Sequence, residues 1–377
     1  MTFFLPHHPI TPSPFHPITS SPPHPITPSP NMRILYAIQG TGNGHLSRAL
    51  DIVPLLQSRC EQLDVLVSGP PADLPLPFPV KHRAGGMGFI FGKKGGINFV
   101  KTFWQFNSAA FLREIRQLPV QDYNLVISDF EPVSSWACKL RELPCVALSH
   151  QSAVLHPQAP RPQREDTAGR AVLRHYAPHT AQYGFHFQRY GPEVFTPVIR
   201  RQVRELQPTN EGHYTVYLPA FDEQTLVQRL RYLSRSTRWE VFSKHSQQPA
   251  EHGNVRVWPV SGAAFTDSLS RAAGVLCGAG FETPAEALYL GKKLLVVPMK
   301  QQYEQQCNAA ALADMGVPVI KSLKDKHLAV VDQWLHAGQA LSVDYPDQTA
   351  AILDQLLREQ LPGAGTPARK KAVLETS

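Results

Sequence analysis

The sequence predicts an α/β protein with two doubly wound domains that face each other across a cleft. Three observations support this prediction. An apolar strand, a glycine-rich turn, a helix and a second strand follow one another over residues 32–68, an order typical of parallel sheets. A second series of alternating apolar segments follows residue 204. Between the two series, Gly191, Pro192 and Pro197 interrupt the pattern and indicate a linker.

Length and composition restrict the class of protein. A chain of 377 residues can form two α/β domains with separate cores. Five cysteines, an odd number without C-x-x-C spacing, indicate reduced thiols in a cytoplasmic protein. No secretory signal and no apolar run of the ~20 residues that a membrane helix needs are expected. The net charge of +7 is spread along the chain, so we predict no nucleic-acid partner.

The chain divides into five predicted parts. Residues 1–31 repeat the sequence His-Pro-Ile-Thr-Pro-Ser-Pro, and this density of proline predicts a disordered tail. Its histidines could bind metal, although drift of the repeat explains them more simply. Residues 32–192 and 193–345 form the two Rossmann-like domains, 346–361 a C-terminal helix, and 362–377 a flexible tail.

The elements of each domain follow from apolar periodicity. In the first domain we predict strands at Met32–Gln39, Asp64–Ser68, Leu125–Ser128 and Cys145–Leu148, with a helix over Ser134–Arg141. In the second we predict strands at Tyr214–Leu218, Trp239–Ser243, Val255–Trp258, Gly274–Leu276 and Lys293–Val297. The helices there are predicted at Glu223–Leu233, Phe265–Arg271, Pro284–Leu290, Glu304–Met315 and Thr349–Gln360.

The first candidate site is the turn Gly40-Thr-Gly-Asn-Gly-His45, between a strand and a helix. Close glycines let the backbone approach a ligand, and a helix N-terminus favours an anion. A dinucleotide fingerprint would need a glycine where His45 stands, and the second strand ends at Ser68 without an acidic residue. NAD binding is therefore disfavoured. His45 can act as a general base, or it can simply bond to the backbone at the start of the helix.

The second candidate is the acidic strand end Ser128-Asp-Phe-Glu131. Side chains that leave a strand end point into the crevice outside the sheet. Asp129 could hold His45 in the tautomer that a general base requires. Alternatively, Asp129 or Glu131 caps the following helix.

The third candidate is the glycine turn and helix of residues 277–291, followed by the strand that ends at Pro298 and by Glu304-Gln305. A glycine turn at a helix N-terminus is suited to a diphosphate. This series resembles the donor site of GT-B glycosyltransferases, and most closely the lipid-linked N-acetylglucosaminyltransferase of peptidoglycan synthesis and the UDP-glucuronosyltransferase group. The turn that contains Gly42, Asn43 and Gly44 resembles their acceptor loop. The likeness spans about residues 32–313 and is dense only in these short blocks.

The resemblance implies a role for each matching position. The N–H groups of Gly278, Ala279 and Gly280 would contact the diphosphate, and the backbone of Val260 the base. Glu286 would bind the ribose hydroxyls, and Glu304 and Gln305 the hydroxyls of the donor sugar. Two positions depart from the family pattern: residues 218–222 replace a glycine-rich loop, and Cys277 stands where the glucuronosyltransferases have histidine.

Other interpretations of the acidic residues stay open. Thr283-Pro-Ala-Glu286 has the pattern of a capping box, which would use Glu286 on the backbone. Glu304 and Gln305 could be the solvated start of a helix.

The resulting hypothesis is an inverting, metal-independent transferase without a cofactor, in which His45, oriented by Asp129, deprotonates the acceptor hydroxyl. The donor is expected to be a nucleotide-diphosphate sugar, with UDP-sugar preferred. The acceptor is open, a lipid-linked one included. A UDP-sugar 2-epimerase or hydrolase, and a sugar-nucleotide sensor without catalysis, are the alternatives. The loop Gly85–Gly96 and the aromatics of 99–111 favour a separate acceptor and hence transfer. The stretch Asn98–Arg116 predicts either core packing or peripheral docking on a membrane.

Overall fold

The computed structural model describes residues 32–41, 43–70, 75–87, 107–164 and 166–361. The predictions for the two tails, for Gly42 and for the loop and aromatic segment between residues 88 and 106 lie outside these ranges. All statements below concern the described residues.

The first domain is built on a sheet of seven described strands in the order β3-β2-β1-β4-β5-β6-β7. Every neighbouring pair in this sheet is parallel. The strands are β1 Arg33–Gln39, β2 Gln62–Ser68, β3 His82–Ala84, β4 Leu125–Asp129, β5 Cys145–Ser149, β6 Ala181–Phe185 and β7 Val194–Phe195. Six of the seven residues of β1 are buried, as expected for a central strand that helices cover on both faces.

Helices cover this sheet. They are α1 Asn43–Gln57, α2 Ser108–Gln117, α3 Pro132–Leu140, α4 His150–Val154, α5 Thr167–His175 and the short α6 Arg201–Arg204. Side-chain caps begin several of them: Asn107 caps α2, Ser149 caps α4 and Asp166 caps α5. Helix α1 follows the glycine turn directly, so its first turn lies at the carboxyl edge of the sheet.

The second domain is built on a sheet of six described strands in the order β10-β11-β9-β8-β12-β13. These are β8 His213–Tyr217, β9 Arg238–Ser243, β10 Ala250–His252, β11 Val255–Pro259, β12 Gly274–Cys277 and β13 Lys293–Val296. Only β10 is antiparallel to its neighbour. The helices are α7 Glu223–Leu233, α8 Gly262–Arg271, α9 Glu282–Tyr289, α10 Tyr303–Asp314, α11 Leu328–Ala337 and α12 Thr349–Gln360.

Both sheets have a point where the strand order reverses. Strand β1 lies between β2 and β4, and β8 lies between β9 and β12. Ligands of open α/β sheets bind outside the carboxyl ends of the strands at such points. The turn before α1 follows β1, and the glycine turn before α9 follows β12. The two predicted binding turns therefore both lie at switch points.

The domain boundaries differ from the sequence prediction. Strand β7 pairs with β6, so the first sheet extends to Phe195 and beyond the predicted end at residue 192. The C-terminal helix α12 returns to the first domain, where Arg59 Nε donates to Asp354 Oδ1 at 2.6 Å. Tyr183 also donates its hydroxyl proton to Glu359 Oε2 at 2.5 Å. The chain thus crosses between the domains a second time and anchors them to each other.

Candidate active site

The structure brings together the predicted pair of His45 and Asp129. His45 lies in the first turn of α1, and Asp129 is the last residue of β4. His45 Nδ1 is 2.8 Å from Asp129 Oδ1. The carboxylate is fully buried, and the imidazole is 11% exposed. This is the arrangement in which a carboxylate orients a catalytic histidine.

A strained residue shapes the site behind this pair. Phe130 has φ of 55°, a left-handed conformation that is unfavourable for a bulky residue and that occurs mainly at functional sites. The sharp turn places the Phe130 ring parallel to the His45 ring, with centroids 6.5 Å apart. On its other side the ring stacks on Tyr176 at 4.8 Å. The strain is therefore associated with an aromatic wall next to His45.

The two acidic residues of this strand end have separate roles. Glu131, not Asp129, caps α3, since its carboxylate accepts the N–H groups of Val133 and Ser134 at 2.8 and 2.6 Å. The capping alternative is therefore correct for Glu131 and wrong for Asp129. Pro132 at the first helical position fits the same cap. Asp129 remains available for His45.

Arg48 is a site residue that the sequence analysis missed. Its Nη2 donates to Asp129 Oδ1 at 2.7 Å and its Nε to Asp129 Oδ2 at 3.1 Å. Its Nη1 donates to Glu282 Oε1 in the second domain at 2.6 Å. Arg48 lies three residues after His45, and residues so spaced share a helix face. That spacing was the one available signal in the sequence.

Burial and the neighbouring positive charge shift the pKa of Asp129 in opposite directions. Burial alone would raise the pKa of the carboxyl, but Arg48, His45 and the hydrogen bonds from both bring the pKa of Asp129 below its ordinary value. Asp129 is therefore an anion at neutral pH. Tyr36 adds a long hydrogen bond to Oδ2 at 3.4 Å, and burial raises the pKa of the Tyr36 hydroxyl well above its usual range.

The other ring nitrogen of His45, Nε2, lies on the side of the second domain. Gln151 Nε2 lies 3.4 Å from His45 Nε2 and donates to Glu304 Oε2 at 3.2 Å. In the tautomer that donates Nδ1–H to Asp129, Nε2 carries the lone pair and can accept from Gln151. Glu304, predicted to bind the donor sugar, thus lies one side chain away from the histidine. Gln151 was not predicted, because glutamine at a helix start has no special pattern.

The glycine turn after β12 provides free backbone donors. The N–H of Gly278 donates to the carbonyl of Tyr217 at 3.1 Å, so this member of the predicted diphosphate contacts is already engaged. The N–H groups of Ala279 and Gly280 make no hydrogen bond to any described residue. A Cβ on Gly280 would meet nothing within 4 Å. The space beside the turn is open.

Glu286 is engaged in a way the sequence did not indicate. The capping-box interpretation is wrong, because α9 begins at Glu282 and has no side-chain cap. Arg200 binds both oxygens of Glu286 at 2.5 and 2.8 Å. The residue is 3% exposed, and burial, opposed by Arg200, raises the pKa of its carboxyl. Its contact with a ribose stays a prediction.

The remaining predicted positions are distributed over both domains. Gln305 Oε1 accepts the N–H of Met299 at 2.9 Å, so its side chain holds the preceding loop, and the residue is half-buried. Val260 follows β11 and is half-buried. Asn43 and Gly44 open α1. A Cβ on Gly44 would lie 2.5 Å from Glu282 Oε2, so a larger residue would displace the Glu282 side chain where the two domains touch.

A second unpredicted contact joins the domains behind Gln151. His150 Nε2 is 2.7 Å from Asn308 Oδ1, and Asn308 Nδ2 donates to the carbonyl of Ala279 at 3.1 Å. The His150 ring stacks on Phe281 at 3.9 Å with an interplanar angle of 6°. The glycine turn of residues 278–280, the predicted donor turn, is thereby fixed against the first domain.

A shallow cleft, with room for about one water molecule, lies on the first domain beside Phe130. Its lining is uncharged apart from one histidine, and consists of Ser128, Phe130, Ala147, Ser149, Ser152, Leu173, Ala177 and His179. The hydroxyls of Ser128 and Ser152 already bond to backbone groups. The cleft thus offers mainly apolar surface.

Neither a metal cluster nor a membrane-spanning helix occurs in the described ranges. No group of three or more His, Cys, Asp or Glu there could hold a metal ion. None of the helices of that part of the chain is long and apolar enough to cross a membrane.

The sequence matches the profile of glycosyl transferase family 1 over residues 32–337. The chain belongs to this family. The match includes His45, Asp129 and the glycine turn before α9. No curated protein matches the chain significantly.

Solved glycosyltransferases share the fold. The chain is 13% identical to a UDP-glucosyltransferase from Polygonum tinctorium, with a TM-score of 0.55 and coverage of 90% of this chain and 96% of that one. It is 14% identical to Phytolacca americana UGT2, with a TM-score of 0.53 and coverage of 88% and 94%. The glycotransferase of kitacinnamycin gives 15% identity, a TM-score of 0.54 and coverage of 89% and 96%. At these identities the likeness shows the fold, and it confirms the predicted GT-B architecture of two facing domains.

Proposed function

We propose that this member of the family transfers a hexose-type sugar from a nucleotide-diphosphate donor to an acceptor hydroxyl, with inversion at the anomeric carbon. One observation carries the proposal: a buried anionic carboxylate holds His45 through Nδ1, and Nε2 lies beside Gln151, which contacts Glu304 of the second domain. We place the free N–H groups of Ala279 and Gly280 across from this histidine. A base and an anion site that face each other are what a direct displacement requires.

The proposed reaction is a single displacement. His45 Nε2 removes the proton of the acceptor hydroxyl, and the acceptor oxygen forms a bond to the anomeric carbon. The bond between that carbon and the diphosphate oxygen breaks, and the nucleotide diphosphate leaves with the electron pair. The N–H groups of Ala279 and Gly280 and the dipole of α9 stabilise the developing charge. The histidine then releases its proton to solvent.

The acceptor is proposed to pack against the shallow cleft beside Phe130. The Phe130 ring lies parallel to the His45 ring, with centroids 6.5 Å apart, so a group bound there would lie near the histidine. Glu304 and Gln305 are proposed to bind the donor sugar, Glu286 the ribose and Val260 the base. The proposed route uses only side chains and backbone groups, so we expect transfer to persist in EDTA.

Calorimetric titration with a panel of nucleotide diphosphates tests the donor site first. UDP-sugar turnover with and without acceptor hydroxyls then tests transfer. Binding of UDP together with acceptor-dependent release of UDP supports the proposal. Release of UDP or epimerised sugar without acceptor would instead indicate the hydrolase or epimerase. Binding without any turnover would indicate a sensor, and failure of every diphosphate to bind would exclude a donor site.

Substitution of Gly280 by valine is expected to weaken UDP binding about tenfold or more, equal to about 1.4 kcal/mol. An added Cβ at this position meets no protein atom within 4 Å, so the loss would come from contact with the ligand. The measurement is the Kd of UDP by calorimetry, with the melting temperature as a check on folding. Ala313→Val, on the exposed face of α10, is the control. Equal UDP affinity in both variants would contradict the placement of the diphosphate.

A further inference from the structure

One guanidinium joins the predicted base to the predicted donor helix, and the proposed reaction leaves it without a role. The side chain of Arg48 is 2% exposed and contacts the fully buried Asp129 and the 27% exposed Glu282. Arg48 and Asp129 belong to the first domain, whereas Glu282 is the first residue of α9 in the second. Such a buried bridge is costly unless each charge is paired.

We propose that Arg48 is a positioning residue of the transfer reaction: it keeps His45 singly protonated by neutralising Asp129, and it ties this pair to the donor helix through Glu282. The inference rests on the proposed function only for the identity of the base. The proton on the histidine can be observed without any substrate.

Asp129 finds its counter-ion in Arg48. Asp129 is buried, so its negative charge demands a cation within contact distance. In this site the cation is Arg48, whose Nη2 lies 2.7 Å from Oδ1, the same oxygen that His45 Nδ1 approaches. Without Arg48, a protonated His45 would be the nearest available cation. A histidine with both nitrogens protonated cannot accept a proton from an acceptor hydroxyl.

The other groups around His45 do not replace this cation. Tyr36 contacts Asp129 as a neutral hydroxyl, and Gln151 separates His45 from Glu304. Glu282 reaches the pair only through Arg48. The ionisable neighbours of His45, apart from Arg48, are thus neutral or acidic. Loss of Arg48 leaves nothing to oppose a second proton on the ring.

Arg48 also sets the distance between the proposed base and the proposed donor site. Arg48 binds Asp129 through a fork, which fixes the carboxylate plane as well as its position. Its third nitrogen binds Glu282 beside Gly44, where the domains are in direct contact. The fork therefore holds His45 Nε2 at a set distance from the donor turn. Misplacement by about 1 Å can reduce turnover by ~10²-fold.

The test is the protonation state of His45, read by ¹⁵N NMR of the full chain labelled at histidine. The His45 signals are assigned by their loss in His45→Gln. In the unmodified protein and in Glu282→Gln, we expect a neutral ring with the proton on Nδ1 at about pH 8, well above the usual histidine range. In Arg48→Met, which keeps the length of the side chain, we expect both nitrogens to be protonated at the same pH. Protonated His45 then pairs with Asp129 and preserves the fold.

A neutral His45 in folded Arg48→Met would overturn the proposal and make Arg48 a structural residue only. If Arg48→Met does not fold, Arg48→Lys carries the test, because it retains the charge and loses the fork. Its His45 should then be neutral while turnover falls about tenfold or more at unchanged UDP affinity. A doubly protonated ring or native turnover in Arg48→Lys contradicts the proposal. The NMR result stands whether or not sugar transfer is detected, so failure of the proposed function is recognised separately.

Discussion

Replacement of His45 by alanine is expected to lower the turnover of sugar transfer by about 10²–10⁴-fold, the usual contribution of a general base. The substitution removes the only imidazole in contact with Asp129 among the described residues. Asp129 keeps its three hydrogen bonds from Arg48, so the fold and the donor turn should stay intact. The UDP affinity should therefore remain within about twofold. The measurements are kcat with saturating donor and acceptor, and the Kd of UDP.

The exposed His336 in α11 provides the control, since its side chain is 72% exposed and pairs only with Asp332. His336→Ala should leave kcat within about twofold. Asp129→Asn should lower kcat almost as far as His45→Ala, because an amide no longer selects the Nδ1–H tautomer. The double variant should be no worse than His45→Ala, since residues that act as a unit are not additive. Turnover of His45→Ala within threefold of native would exclude His45 as the base.

The fold could be predicted where the apolar pattern was clear. Helices α7 and α12 begin and end where the periodicity indicated. Strand β6 was missed because Gly184 within it has the pattern of a break. The structure explains this glycine: a Cβ there would lie 2.6 Å from the Cβ of Ala153, so α4 packs directly on the strand. Gly184 locally indicates a turn, but it is needed because α4 packs against β6 at this position.

The only site residues that could be predicted from position are those near the carboxyl ends of neighbouring strands. Asp129 and His45 follow neighbouring strands β4 and β1, and their ends meet at one edge of the sheet. Arg48 lies 81 residues from Asp129 and 234 from Glu282 in sequence, and an ion pair leaves no periodic trace. Arg200 was hidden for a second reason. It falls in the segment interpreted as a linker, yet it forms a buried pair with Glu286 across the two domains.

Asp129→Ala is expected to lower the free energy of unfolding by about 3 kcal/mol, the lower end of the ~3–5 kcal/mol lost when a buried ion pair is broken. The substitution leaves the guanidinium of Arg48, 2% exposed, with one acidic partner that is itself 27% exposed. That remaining partner, Glu282, is the reason for choosing the lower end. The measurement is urea denaturation at neutral pH, with unchanged slope as evidence of an unchanged native state.

The exposed pair of Arg271 and Asp267 is the matched control. Its atoms are as close as those of the buried pair, at 2.5 Å, but the side chains are 36% and 62% exposed. Asp267→Ala should therefore lower the free energy of unfolding by less than about 1 kcal/mol. A similar loss of unfolding free energy in both variants would show that the burial of Asp129 does not increase the effect of breaking its ion pair. The comparison separates the effect of desolvation from that of distance.

The dependence of this difference on pH gives an independent check, and its sign follows from the pKa of Asp129. Because Arg48 and His45 outweigh burial and lower that pKa in the folded state, the contribution of Asp129 is fully present above the unfolded value of about 3.9. It is lost as the pH falls through the lower pKa of the folded carboxyl. Burial raises the pKa of Glu131 and Glu286 instead, so their contributions have the opposite sign. Both glutamates are common to the native protein and to Asp129→Ala and cancel in the difference. The two stability curves should therefore run parallel above about pH 5 and converge below about pH 4. Curves that stay parallel at lower pH would mean that folding does not lower the pKa of Asp129.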